Sequence, residues 1–117
     1  MSARLIQPKK ILTADIVGAT PVLTQAQCMS SFSNACIQAV YDSSLNATFR
    51  VLASSASNSA KQPADNLFFD TGIFFSATNA DLNSGCNLGG VGFVWVRLEI
   101  TASVNGHCDV WFSAKEG

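Results

Sequence analysis

The sequence predicts an all-β fold: a single-domain antiparallel β-sandwich, jelly-roll-like, with an extended N-terminal arm. Three observations carry that prediction. No segment sustains the 3.6-residue apolar stripe of a packed helix. Two late segments, Val94, Val96, Leu98, Ile100 and then Cys108, Val110, Phe112, Ala114, place apolar residues on alternate positions, as strands with one buried face do. A chain of 117 residues is long enough for one core and too short for two.

Residues 1–10, MSARLIQPKK, read as the arm: Pro8 excludes a helix, and Arg4, Lys9 and Lys10 keep the segment solvated. Leu5 and Ile6 are too apolar for an idle tail, so the arm is expected to lie over a neighbouring surface. The sandwich domain then spans 11–117. Short strands are expected at Ile11 to Val17 and Thr20 to Thr24, separated by Gly18. The stretch from Gln25 to Asn34 reads as a loop or a single helical turn. Ala35 to Asp42 and Ala47 to Ala53 follow as strands, with Ser43 to Asn46 between them as a hairpin-like connection. Ser54 to Asn66 is a long polar loop, of a length uncommon in compact domains unless it packs on something. Leu67 to Asp70 and Ile73 to Ala77 are two apolar strands, Thr78 to Gly90 is a Gly/Asn-rich loop, and the two alternating segments close the chain as a hairpin.

In that closing hairpin Asn105-Gly106 invites a two-residue turn. Such a turn would pair even with odd positions and send Phe112 to the face opposite Ile100. The apolar pattern therefore predicts an odd loop of three or five residues with Gly106 at a positive φ. Trp95, Arg97, Glu99, His107, Asp109 and Trp111 would share the other face. Two tryptophans on an otherwise polar face need a cover, whether the arm, another subunit or a sugar ring.

Composition narrows the function. Net charge is −1 and 13% of residues are charged, against roughly 25% for soluble domains. No global field draws the chain to nucleic acid or a membrane surface. No apolar run nears the length of a membrane span, and the N-terminal apolar stretch is cut by Asp15 and Gly18, unlike a signal peptide. Cys28, Cys36, Cys86 and Cys108 include no Cys-x-x-Cys and His107 is the sole histidine, so the cysteines read as mostly buried, reduced thiols, and no metal or other cofactor is expected. His107 reads as a solvated residue beside a turn, and Asp15, Asp42, Asp65, Asp81 and Asp109 as strand-end aspartates.

The segment LFFDTGI, with Asp70-Thr71-Gly72, resembles the catalytic loop of retroviral-type aspartic proteases, and Leu88 to Phe93 is similar to their glycine-rich flap. That chemistry needs one Asp from each of two subunits to share a proton and activate water. The remainder of the pattern departs: Ile73 stands where a small residue belongs, about 66 residues precede the motif, and only ten follow His107. No catalytic residue is therefore assigned. Asp70-Thr71-Gly72 reads as a turn in which Asp70 bonds the backbone and Gly72 takes the positive φ.

From Ala35 to Gly117 the chain resembles the small β-sandwich virion proteins of bacteriophages, which decorate capsids or form tail and fibre parts. The resemblance rests on Ile37 to Tyr41 with Ala47 to Ser54, the polar loop, Phe93 to Ile100 in the closing pair, and the ending Phe112 to Gly117. It departs in lacking an aspartate-rich turn after the first strand pair. It implies a non-enzymatic capsid decoration or cement protein, located in the virion and assembled in a host cytoplasm. The implied partners are the major capsid protein or other virion proteins, and further copies of itself, a trimer being favoured. Interface candidates are Arg4, Leu5, Ile6, Lys9, Lys10, Trp95 and Trp111. The alternative is a carbohydrate- or receptor-binding tail or fibre module that uses Trp95 and Trp111 as stacking platforms.

Overall fold

A computed structural model of the chain describes residues 5–17, 20–29, 34–55, 63–77, 82–89 and 94–115, with side chains from residue 8 onward. Within them lie nine strands: β1 (Leu5–Ile16), β2 (Val22–Leu23), β3 (Gln27–Cys28), β4 (Asn34–Tyr41), β5 (Asn46–Ser54), β6 (Phe69–Ala77), β7 (Asn83–Gly89), β8 (Trp95–Val104) and β9 (Gly106–Lys115). A 3₁₀ turn at Asp65–Leu67 is the one helical element among the described residues.

The strands form two antiparallel sheets. Sheet I has the order β1-β9-β4-β7; sheet II has the order β2-β8-β5-β6, with β3 also paired to β8. If β2 and β3 are counted as one interrupted strand, each sheet has four positions, and every connection except β5 to β6 passes from one sheet to the other. This is the double-Greek-key connectivity of a jelly roll. The sandwich expected from the sequence is present.

The core is where the inward faces meet. Ile37, Ala39, Val110 and Phe112 of sheet I face Phe49, Val51, Val96, Leu98 and Ile100 of sheet II. Phe49 stacks on Phe75 at 4.8 Å between ring centroids. Each fully buried large side chain in such a layer is worth about 1.5–3 kcal/mol, so the alternation in the sequence is the main source of the fold.

Two expected hairpins are instead crossings between sheets. β4 and β5 belong to different sheets, as do β8 and β9, with Asn105 alone between Val104 and Gly106. Even positions point inward on both β8 and β9, as the pattern required, but the parity rule applies only to strands bonded to each other in one sheet. Across a sandwich, the two strands meet face to face, and no three- or five-residue loop is needed. Gly106 also lacks the expected positive φ, which among the described glycines belongs to Gly72 at 83°. Gly106 is a close-approach glycine. A Cβ there would stand 2.6 Å from Leu45 Cβ and 2.6 Å from Asp42 Oδ1, where the two inter-sheet corners pack together.

Asp70-Thr71-Gly72 is not a turn between strands but a bulge inside β6, where Arg50 pairs with Phe74 and Leu52 with Asp70. The local chemistry is the expected one. Asp70 Oδ1 accepts from the Gly72 N–H at 2.9 Å, and the Thr71 hydroxyl donates to the Val51 carbonyl at 2.8 Å. The segment 5–10 is extended but is not set apart from the domain: β1 runs through residue 10 and pairs along β9, from Leu5 opposite Lys115 to Ile16 opposite Gly106. Its irregularities fall around Pro8 and Ile11, and Pro8 lacks the N–H that a regular ladder position would use.

Candidate functional site

Three surface features have built geometry. The first is the outward face of sheet I at the β1–β9 junction, where Asp15 lies opposite His107 and Thr13 opposite Asp109. His107 Nδ1 is 2.9 Å from Asp15 Oδ1, and its Nε2 is 3.2 Å from Asp109 Oδ1. Asp109 in turn lies 3.6 Å from Lys10 Nζ, and that ammonium stands 5.3 Å from the centroid of Trp111. Behind the ring, Asp42 at the β4–β5 corner accepts the backbone N–H of His107 at 3.1 Å and donates its own N–H to the His107 carbonyl at 3.2 Å.

The charges follow from these contacts. The hydrogen bond that the ring donates to Asp15 is the main cause that raises the His107 pKa above its ordinary 6.5, outweighing the opposing desolvation. The Thr13 hydroxyl, then Lys10 and His107, hold Asp109 below the usual carboxylate range. Asp42 is lowered chiefly by the backbone N–H of His107.

The second feature is the outward face of sheet II. Arg97 is 4% exposed and Trp95 is 9% exposed. Arg97 Nη1 binds Asp65 Oδ1 at 2.8 Å, and the guanidinium lies 3.9 Å from the Phe68 ring centroid. The end of the long polar loop therefore folds back over this face. It covers Arg97, whereas the sequence called for the arm, another subunit or a sugar ring over the tryptophans.

The third feature is the β6 border of sheet II. Phe74 is 65% exposed, and Phe69 and Leu67 are each 50% exposed. Sequence reading placed strands here without recognising an exposed border. The signal was the adjacent pair Phe74-Phe75: in a strand neighbouring side chains point to opposite faces, so one ring must leave the core. Phe75 is the one that stacks inside. The Asp65–Arg97 pair was also missed, because 32 residues of separation leave no local pattern.

The expected interface residues are dispersed. Arg4 lies outside the described residues, and for Leu5 and Ile6 only the backbone is described, opposite Lys115 and Ala114. Lys9 and Lys10 are exposed and Trp111 is half-buried. Trp95 and Trp111 do not share a face: Trp95 is in β8 of sheet II, Trp111 in β9 of sheet I. The expectation that the cysteines are mostly buried is also corrected. Cys28 and Cys36 are exposed, Cys86 is intermediate and Cys108 is buried. Their alternation explains this, since Cys36 sits on an outward position of β4 and Cys108 on an inward one of β9. Among the described residues no group of three His, Cys, Asp or Glu side chains is placed to hold a metal ion. Asp70 is exposed on the β6 border, its Oδ2 3.9 Å from Arg50 Nε.

No protein-family model matches the chain, and no curated protein sequence matches it. Solved structures do match in fold. A crystal structure of the SPBc2 prophage-derived protein YomS superposes with a TM-score of 0.58 at 13% identity, over 95% of this chain and 96% of that one. A chain of the Bacillus endospore appendages, a family of disulfide-linked pili, gives a TM-score of 0.49 at 11% identity, over 100% of this chain and 93% of that one. The first shares the fold across nearly its whole length.

Proposed function

We propose that the chain is a structural virion protein of the capsid-decoration or cement type, which binds a protein shell and neighbouring copies of itself and performs no catalysis. The observation that carries this reading is the apolar β6 border. Phe74 on the outward face of β6, opposite Arg50, and Phe69 on its other face, opposite Ala53, stand at least half exposed, as does Leu67 of the preceding 3₁₀ turn, on a chain with only 13% charged residues. A surface of that kind suits burial against other protein. Double-Greek-key sandwiches are a recurrent unit of viral shells, and the likeness in fold to a prophage-derived chain agrees with the reading.

The partners are the major capsid protein or another virion component, and the location is the particle. Lys10 and Trp111, opposite each other on the outward face of sheet I, form a second strip available to a neighbouring subunit. The backbone of residues 5–10 is engaged with β9, so the contact is assigned first to β6 rather than to the arm. A glycan-binding role lacks its platform, because Trp95 is buried and Trp111 stands on the other sheet. The setting of Asp70, exposed within a bulge of the border strand β6, favours a structural role for Asp70-Thr71-Gly72 over a proteolytic one.

The test is the double variant Phe69→Ser, Phe74→Ser, added to particles that lack the native protein and imaged by cryo-electron microscopy. Two rings buried at a contact contribute about 1.5–3 kcal/mol each, so affinity should fall at least tenfold while circular dichroism and thermal unfolding stay as in the wild type. A folded double variant that decorates particles as fully as the wild type would overturn the assignment.

A further inference from the structure

We propose that His107 is a pH-operated latch between the first and last strands: with both ring nitrogens protonated it ties Asp15 of β1 to Asp109 of β9, and loss of one proton weakens that tie and loosens the Ile16 end of β1. The latch belongs to the isolated chain and does not depend on a role in the virion.

The geometry favours the charged ring, although the Thr13 hydroxyl, 3.3 Å from Nε2, can donate to that nitrogen when the ring is neutral. Both contacts, 2.9 Å to Asp15 and 3.2 Å to Asp109, are to carboxylate oxygens, which only accept. A neutral imidazole has a single N–H. Whichever tautomer forms, one ring lone pair faces a carboxylate, and the remaining bond, still made to an ionised acceptor, loses the positive charge of its donor and with it the ion pair.

The groups that face the ring can be stated element by element. β1 supplies Asp15, with Lys10 and the Thr13 hydroxyl, the latter 3.3 Å from Nε2. β9 supplies Asp109. The β4–β5 corner supplies Asp42, through the backbone of His107. On β4, Val40 and Tyr41 lie opposite Asp109 and Cys108 and add no charge. Three carboxylates therefore face two cations while His107 is protonated, and Lys10 alone when it is not.

The sign follows from the directions of the shifts. A histidine whose pKa is raised by folding stabilises fully below its unfolded value, and the contribution is lost as pH rises through the folded value. Asp42 and Asp109 are lowered, so their contribution is lost only as pH falls through the carboxylate range. β1 is thus held best below the unfolded histidine pKa and above the carboxylate range, and is released as pH rises through the raised pKa of folded His107.

The experiment is amide hydrogen exchange of the full chain between about pH 5.5 and about pH 8.5, read as protection factors so that intrinsic exchange divides out. Protection of the amides of residues 12–16 should fall about two- to fivefold with rising pH, the scale of an exposed ion pair, while that of β5 and β8 stays constant. His107→Gln should be low and flat across the range. Asp15→Asn keeps the ring, and should also be flat with the His107 ring titrating at lower pH by NMR. A wild-type profile that does not change, or a His107→Gln profile that keeps the wild-type slope, would overturn the latch.

Discussion

Gly106 and Gly72 are glycines for opposite physical reasons, and substitution separates them. At Gly106 the obstacle is space: a Cβ would stand 2.6 Å from Leu45 Cβ and 2.8 Å from Leu45 Cα, and Leu45 is fully buried. Gly106→Ala should destabilise by about 1–3 kcal/mol through overpacking, seen as a lower urea midpoint with an unchanged slope. At Gly72 no atom lies within 4 Å of the added Cβ, and only the backbone at φ 83° resists. Gly72→Ala should cost about 1–2 kcal/mol, the left-handed penalty alone. If Gly106→Ala were as stable as the wild type, the corner would have to relax more freely than its contacts allow. The thiols give a second residue-scale prediction. Burial pushes the Cys108 thiol up to about 12 and the Cys86 thiol up to about 11. The reactive species is the thiolate, so at neutral pH a maleimide should label the exposed Cys28 and Cys36 within minutes. Cys86 and Cys108 should react only after denaturant is added, and rapid labelling of all four would contradict the packing.

At the scale of the element, period was legible and pairing was not. Val96, Leu98, Ile100 and Cys108, Val110, Phe112 announced their buried faces because side-chain alternation is a property of each strand alone. Which strand bonds to which depends on the path of the connection. Ser43 to Asn46 and Asn105-Gly106 are short enough for a hairpin and equally short enough for a tight corner between sheets. The Asp70-Thr71-Gly72 chemistry was legible because it is local; the Arg97–Asp65–Phe68 cover and the pairing of β1 with β9 were not, because each joins distant parts of the chain. A subtler element is the interrupted border strand formed by β2 and β3. Between them Thr24 takes over the ladder: its N–H donates to the Leu98 carbonyl at 3.0 Å, and its hydroxyl oxygen accepts the Leu98 N–H at 2.9 Å. Thr24→Val keeps the volume and removes the acceptor, leaving a buried N–H unpaired. The expected loss is about 1–3 kcal/mol in chemical denaturation, whereas Thr24→Ser should be much milder. Equal stability of the valine and serine variants would show that another group satisfies Leu98.

At the scale of the whole molecule, the N-terminal segment decides whether β1 is scaffold or contact. In a double-Greek-key sandwich the first and last strands are neighbours, so β1 covers an edge of β9 that would otherwise lie open to association. Its contribution to the core is unevenly placed. Ile11 and Ile16 are buried and lie in the second half of the strand, and the pairing from Leu12 opposite Val110 to Ile16 opposite Gly106 is intact there. Removing residues 2–10 leaves those contacts in place. Removing residues 2–16 deletes both isoleucines, about 3–6 kcal/mol of burial from a domain whose total stability is on the order of 5–15 kcal/mol, and uncovers β9 as well. The shorter deletion should therefore still unfold cooperatively on heating, at a somewhat lower midpoint, while the longer one should aggregate or fail to fold. A longer deletion that stayed monomeric and cooperative would show that β1 is dispensable to the sandwich. Particle binding then separates the two roles of the segment. If β6 is the contact, the shorter deletion should decorate particles at near wild-type occupancy. If occupancy collapses while the fold persists, the contact lies in the first ten residues, and Leu5, Ile6, Lys9 and Lys10 become the residues to substitute one by one.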